Sequence, residues 1–367
     1  MTMTKRQLIL ADGTTFIGKA FGGSANVSGE IIFNTSMTGY QEIISDPSYY
    51  DLITLFTYPS IGSYGVNRDD FESLSAKVSG VIVKEICSEP SNFRSEETID
   101  QLLLKHNIPG IAGIDTRMLT RILREKGAVK GMISNLDVDR EEIIIKLTNE
   151  KEKDVVQNVS TTRPYIVPGR GKRIVVIDMG MKHQILHELT ERDCHVTVVP
   201  YDYSEEDILQ FKPDGIIISN GPGNPKAVTT TIHTVKSLVL KTSILGIGLG
   251  HQIIALACGA NTKRLPVGSF GNNFPVKDLQ RNQTWITTQS CRYTVDESTL
   301  KDTDLTISYR SINDHTIQGL AHKIYPVISV QFQPEGAPGS NETNFIFDTF
   351  LKELANNQMN NGGLLHA

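Results

Sequence analysis

Four short runs constrain this chain more than anything else in it. Ile174-Val175-Val176-Ile177, Val196-Thr197-Val198-Val199, Gly215-Ile216-Ile217-Ile218 and Ile244-Leu245-Gly246-Ile247 are β-branched and apolar on both faces. A strand that is apolar on both faces must be covered on both, and flanking helices do this in parallel sheets. Helical patterns lie between the runs. Ser204-Glu205-Glu206-Asp207-Ile208-Leu209 opens one of them, with Ser204 as N-cap and acids in the first turn. Strands alternating with helices predict a mostly parallel, doubly wound α/β sheet. Ligand sites in such sheets form in the loops at the carboxyl ends of the strands. The loop Asn220-Gly221-Pro222-Gly223-Asn224-Pro225 and the turn at Gly248 both fall there.

The first half reads differently. Gln7-Leu8-Ile9-Leu10, Glu30-Ile31-Ile32-Phe33 and Gly80-Val81-Ile82-Val83 are β-like runs among Gly-rich turns, so an α+β domain is expected over 1–150. One helix follows Asp115. Met118, Leu119, Ile122 and Leu123 form its apolar stripe, Arg117, Arg121 and Arg124 lie off it, and Gly127 ends it. Periodicity lapses over 151–172, where Thr161-Thr162-Arg163-Pro164 and Val167-Pro168-Gly169-Arg170 predict a linker. The α/β domain is expected over 173–355, with a last helix from Lys352 and a polar tail over 356–367.

A length of 367 residues accommodates two such domains. The formal net charge of -5 argues against a nucleic-acid partner, which needs a basic face. Cys87, Cys194, Cys258 and Cys291 are scattered without a C-x-x-C pair, which argues against a disulfide framework or a metal site. Met1 to Gln7 is polar and no apolar run approaches a membrane span, so neither a secretory signal nor membrane insertion is expected, and a cytoplasmic protein is.

Ser243-Ile244-Leu245-Gly246-Ile247-Gly248-Leu249-Gly250-His251-Gln252 predicts a strand, a sharp turn and a helix start. Such elbows present one side chain beside backbone N–H groups that hold an oxyanion. Here the presented residue, Gly248, has no side chain. A dinucleotide-binding turn is excluded because His251 stands where G-x-G-x-x-G needs its last glycine.

Gly246-Ile247-Gly248-Leu249-Gly250-His251-Gln252 resembles the Gly-Ile-Cys-Leu-Gly-His-Gln elbow of class I glutamine amidotransferases. Ser219 to Pro225 is similar to their oxyanion loop, and Gln331-Phe332-Gln333-Pro334-Glu335-Gly336 to the segment carrying the other triad members. Phe33 to Glu42, Asp46-Pro47-Ser48-Tyr49 and Gly113-Ile114-Asp115-Thr116-Arg117 resemble the small chains of carbamoyl-phosphate synthases. The resemblance runs from about Lys5 to about Leu354 and implies a flavodoxin-like fold for the α/β domain. In that family a Cys thiolate attacks the glutamine amide, a His oriented by a Glu moves the protons, and ammonia passes to a large chain. The large chain makes carbamoyl phosphate for arginine and pyrimidine synthesis, and it is where ATP and Mg are expected. No cofactor is expected in the small chain. The resemblance implies a heterodimer or a higher oligomer.

Carried over by position, Gly248 stands at the nucleophile, Gln333 at the base and Glu335 at the triad acid. The glutamine-binding positions are Ser48, Gly221, Gly223, Leu249, Gln252, Ser290, Arg292 and Tyr293. An amide at 333 neither titrates nor takes a proton usefully. The family reads Gln-Asn-His-Gly where this chain has Gln289-Ser290-Cys291-Arg292, and histidines expected near 269 and 274 are Ser269 and Phe274. Losing a triad nucleophile or base costs about 10⁶ in kcat, roughly 8 kcal/mol, so glutamine hydrolysis is expected to be lost. Cys258, about 15 Å along the helix, is expected to be a buried apolar side chain, and His251 a structural one. Besides a synthase subunit fed by free ammonia, two other roles are open: a glutamine or metabolite sensor, and a purely structural subunit.

Overall fold

The computed structural model describes residues 4–150 and 154–362, with side chains to 355. The chain divides into two compact units, 1–153 with 266–271, and 154–265 with 272–367.

In the first unit the β-like runs close into a barrel. Its strands are β1 (Lys5–Leu10), β2 (Thr15–Gly22), β3 (Val27–Asn34), β4 (Leu52–Phe56), β6 (Gly80–Val83), β8 (Pro109–Ala112) and β9 (Val129–Asn135), in the order β1-β2-β8-β6-β4-β3-β9. The short β5 (Ser60–Ile61) and β7 (Glu85–Ile86) pair separately. Strand alternation sorts the side chains. Leu8, Ile31, Ile53, Ile82 and Ile111 join one core, and Ile32, Leu52, Val81 and Ala112 the other. Helices α1 (Tyr40–Ser45) and α2 (Ile99–Lys105) supply the second core, as with Tyr40, Ile44, Leu102 and Leu103. Helix α4 (Arg140–Asn149) packs Ile143 and Leu147 on Ile9 and Met132.

Helix α3 (Thr116–Lys126) starts at the expected cap, where Asp115 accepts the Met118 N–H at 2.8 Å, and stops at Gly127 with φ 78°. Leu119 and Leu123 enter the first core, but Met118, expected beside them, is 48% exposed. It flanks the Leu119–Leu123 line on the arginine side.

The second unit is built on a ten-stranded sheet in the order β10-β12-β11-β13-β14-β19-β18-β17-β15-β16. Its parallel centre is β12 (His195–Pro200), β11 (Arg173–Asp178), β13 (Gly215–Ile218), β14 (Ser243–Ile247) and β19 (Val327–Val330). The four doubly apolar runs are four of these strands. Val175, Ile177, Ile216, Ile218 and Ile244 face one core; Ile174, Val176, Ile217, Leu245 and Ile247 face the other. Helices α5 (His183–Glu191), α6 (Glu205–Gln210), α7 (Thr229–Leu238), α8 (Leu249–Ala257) and α9 (Phe345–Gly362) contribute to these layers, and Ser204 caps α6 as expected. The antiparallel extension is β15 (Thr262–Asp278), β16 (Gln283–Val295), β17 (Leu305–Ser311) and β18 (Ile317–His322). No described helix is long and apolar enough to cross a membrane.

Three boundary expectations are corrected. The stretch 154–172 is not a linker. Its strand β10 (Tyr165–Val167) pairs antiparallel with β12, Val156 is buried in the core, and the Thr161 N–H donates to Asp178. Pro164 and Pro168 bracket β10 and read as breakers, yet proline is tolerated at the ends of an edge strand. Residues 266–271, expected in the α/β domain, belong to the first unit, where the Phe270 ring lies 5.3 Å from that of Tyr49. The expected tail is helical through Gly362, and α9 begins at Phe345 rather than near Lys352. Polar residues do not by themselves stop a helix. Residues 151–153 and 363–367 lie outside the described residues, as do Met1, Thr2 and Met3.

Candidate active site

Strand β14 runs into α8 through Gly248, whose φ of 58° and ψ of -109° make the elbow. The turn is tied on both sides. The Gly248 N–H donates to the Val330 carbonyl at 2.9 Å, and the Gly250 N–H to the Ser219 carbonyl at 3.1 Å. Gly250 is required for packing, because a Cβ there would lie 2.2 Å from the Ile218 carbonyl oxygen. At Gly248 space is nearly sufficient. A Cβ would stand 3.2 Å from the Asn220 Cβ, and the positive φ is the main obstacle to an ordinary side chain.

The loop after β13 faces this turn. Ser219 Oγ accepts the Met179 N–H at 2.9 Å and donates to the Asn220 carbonyl, while Asn220 Oδ1 accepts the Lys182 N–H. Gly221 packs so closely that a Cβ would come 2.0 Å from the Met179 carbonyl oxygen, and Gly223 has φ 91°. Leu249 is buried at the start of α8.

Beyond β19 the chain carries Gln333 and Glu335, each 2% exposed. The Gln333 N–H donates to the Thr288 carbonyl at 2.9 Å, which joins this segment to β16. Its side-chain nitrogen donates to Ser290 Oγ at 2.7 Å, and its Oε1 accepts from Lys182 Nζ at 3.2 Å. Lys182 can only donate, so it fixes which end of the Gln333 amide faces it. Lys182 Nζ also donates to the Gly336 carbonyl at 2.6 Å and pairs with Glu335 Oε1 at 3.2 Å, both side chains fully buried. Lys182 is the residue that sequence reasoning missed. Its signal was position: it follows β11 at the carboxyl edge, where sites in such sheets form.

Gln252 is buried and spends its amide hydrogens on the protein, on the Tyr293 carbonyl at 2.8 Å and Gln331 Oε1 at 2.9 Å. Gln331 in turn donates to the Gly248 carbonyl at 3.4 Å. Tyr293 is buried, with the Arg264 guanidinium 6.0 Å over its ring. Arg292 and Ser290 are half-buried and Cys291 is buried. Thus the second unit brings together Gly221, Gly248, Leu249, Gln252, Ser290, Tyr293, Gln333 and Glu335. Ser48 belongs to the first unit, in the 3-10 turn Pro47–Tyr49, where its N–H donates to Asp46 Oδ1 at 2.8 Å.

Two further groups, Cys258 and His251, are held inert. Burial pushes the Cys258 thiol up to about 11, so it stays protonated at neutral pH. His251 is fully buried, with Nδ1 2.9 Å from Ser329 Oγ, and burial pushes it down to about 3. In the unfolded chain a histidine takes up its proton near pH ~6.5. Between those two values the unfolded state binds the extra proton, so stability falls as pH falls, by about 1 kcal/mol per pH unit. Wild type is therefore expected to lose more stability between pH 7 and pH 5 than His251→Asn, measured by urea unfolding. Parallel losses in the two proteins would assign the acid sensitivity elsewhere.

A family model described as carbamoyl-phosphate synthase small chain, CPSase domain, matches residues 8–133, and one described as glutamine amidotransferase class-I matches 175–353. The chain is 50% identical over 366 residues to a carbamoyl phosphate synthase small chain of Oceanobacillus iheyensis, covering 100% of both chains. It is 51% identical over 355 residues to a carbamoyl phosphate synthase pyrimidine-specific small chain of Halalkalibacterium halodurans, covering 96% of this chain and 98% of that one. A carbamoyl phosphate synthase small chain of Bacillus caldolyticus is 50% identical over 364 residues, with 99% and 100% covered.

Proposed function

The chain belongs to the carbamoyl-phosphate synthase small-chain family, and from that premise we propose that it is a synthase subunit whose own glutamine-hydrolysing step is lost. The observation that carries this reading is the pair of residues at the reaction centre. Amide hydrolysis by this route needs a nucleophile that forms a bond to the carbonyl carbon and a base that takes its proton. Gly248 supplies no atom for the first task. Gln333 cannot perform the second, and its amide is already committed to Lys182 and Ser290. What persists is the frame: the elbow, the loop Ser219–Pro225 and the buried acid Glu335. Backbone donors that would hold an oxyanion have nothing to act on without the attacking atom.

In this reading the large chain binds ATP and Mg, takes ammonia from solution, and makes carbamoyl phosphate for pyrimidine or arginine synthesis. The small chain is retained for assembly. The pyrimidine branch is favoured by the name of the Halalkalibacterium halodurans relative.

The test is to purify the chain with its cognate large chain and measure carbamoyl phosphate made from glutamine and from ammonium chloride. Synthesis from ammonium, with synthesis from glutamine about 10⁶ lower than in active relatives, is expected. Equal use of both nitrogen sources would overturn the proposal.

A further inference from the structure

We propose that the arginine face of α3 is the docking surface for an acidic segment of the large chain. This rests on the reading of the protein as a synthase subunit. The first unit holds a groove of about 740 Å³ whose charged lining is Lys84, Glu85, Asp115, Arg117, Arg121 and Arg124. Arg117, Arg121 and Arg124 recur at i, i+4 and i+7, so they share one helix face and span about 10 Å along its axis. Lys84, directly after β6, adds a fourth cation; its carbonyl accepts the Gly113 N–H at 3.0 Å, which ties that loop to the entry of α3.

These four cations share one groove, and none of them is paired as several of the chain's other arginines are. Arg68, Arg94, Arg173, Arg192, Arg281 and Arg310 each sit against a carboxylate, and Lys126 at the end of α3 pairs with Asp12. Lys84, Arg117, Arg121 and Arg124 are exposed, and among the described residues their side chains have neither an ion pair nor a hydrogen bond. Glu85 and Asp115 line the same groove without pairing to them, and Asp115 is occupied in capping α3. A chain of net charge -5 thus keeps a local surplus of positive charge on one helix face. Met118, 48% exposed among the arginines, adds the apolar contact that interfaces place beside arginine.

The spacing selects the class of ligand. A compact phosphate fits cations that converge on one point, whereas these are strung along the helix with two carboxylates in the groove. An extended peptide with several Asp or Glu residues can place each carboxylate opposite a guanidinium fork and avoid both acids.

The experiment measures the affinity of the full chain for its cognate large chain at two salt concentrations. Arg117→Glu/Arg121→Glu/Arg124→Glu is expected to weaken binding by about 10²-fold or more and to flatten the salt dependence. The neutral variant Arg117→Gln/Arg121→Gln/Arg124→Gln, with helix content checked by circular dichroism, is expected to fall between. Carbodiimide coupling in the wild-type complex reads the site without substitution: Lys84 is expected to join an Asp or Glu of the large chain. Binding by the reversed variant within twofold of wild type, with no Lys84 cross-link, would overturn the docking surface alone. Wild type that forms no complex would overturn the subunit reading beneath it. Protection of the arginines from phenylglyoxal by inorganic pyrophosphate, with complex formation unchanged by the reversal, would reassign the groove to a small anion and overturn the proposal.

Discussion

Glutamine hydrolysis by the Gly248→Cys/Gln333→His double variant is expected to rise above that of wild type yet remain about 10³-fold below active relatives. The two substitutions return the nucleophile and the base, and the frame is fit to receive them. A cysteine at 248 takes the elbow's φ of 58° with its Cβ 3.2 Å from that of Asn220, so the neighbour yields by a few tenths of an ångström. A positive φ on a non-glycine residue costs about 1–3 kcal/mol, a cost that active sites commonly bear. The shortfall is placed in the wall opposite. Ser290, Cys291 and Arg292 replace an Asn-His-Gly stretch in the family pattern, and Arg292 is a long, half-buried cation where glycine left room. Misplacing a substrate by about 1 Å can cost 10²-fold on its own. Adding Ser290→Asn, Cys291→His and Arg292→Gly is expected to recover most of the rest, read as glutamate released per enzyme. Rates usual for relatives from the double variant would show the wall changes to be without consequence. No gain from all five substitutions would place the defect in the elbow itself.

The frame was legible in sequence and the contents of the site only partly so. The central strands declare themselves because both of their faces are buried, as with Ile174 to Ile177 in β11. Asp115 and Gly127 mark both ends of α3 by capping chemistry that acts within a few residues. The elbow is readable for the same reason, since Gly246, Gly248 and Gly250 answer steric demands of one turn. Lys182 is the opposite case. Its place after β11 marks it as near a site, but nothing in Met179-Gly180-Met181-Lys182 shows that it is buried, because its side-chain partners Gln333 and the Gly336 carbonyl lie 151 and 154 residues away. Residues 266–271 differ from expectation on similar grounds: Phe270 meets Tyr49 and Thr35, more than 200 residues away in the chain. Short-range chemistry shows in a sequence; long-range pairing does not.

Removing the buried ammonium is expected to be the most damaging single change to stability in the site. Lys182→Met should lower unfolding free energy by about 3–5 kcal/mol, because it leaves the Glu335 carboxylate buried without its countercharge. Three attachments go at once: the ion pair with Glu335 at 3.2 Å and the hydrogen bonds to Gln333 Oε1 and the Gly336 carbonyl. Those attachments hold the segment after β19 against the loop after β11, so the loss should be felt first as faster amide exchange around 333–336. The companion variant separates the cost of a stranded charge from the worth of the pair. Lys182→Met/Glu335→Leu removes both ions, and buried pairs replaced by apolar residues of similar volume are often neutral in stability. The double variant should therefore be more stable than Lys182→Met alone in urea unfolding. If the second substitution adds to the loss instead, Glu335 holds the fold through its other contacts and the pair is not the centre of the network. The comparison also bears on function. Catalysis through Gly248 and Gln333 is absent in the proposed reading, so any retained requirement for this ion pair must come from keeping the amidotransferase unit folded as part of the larger synthase.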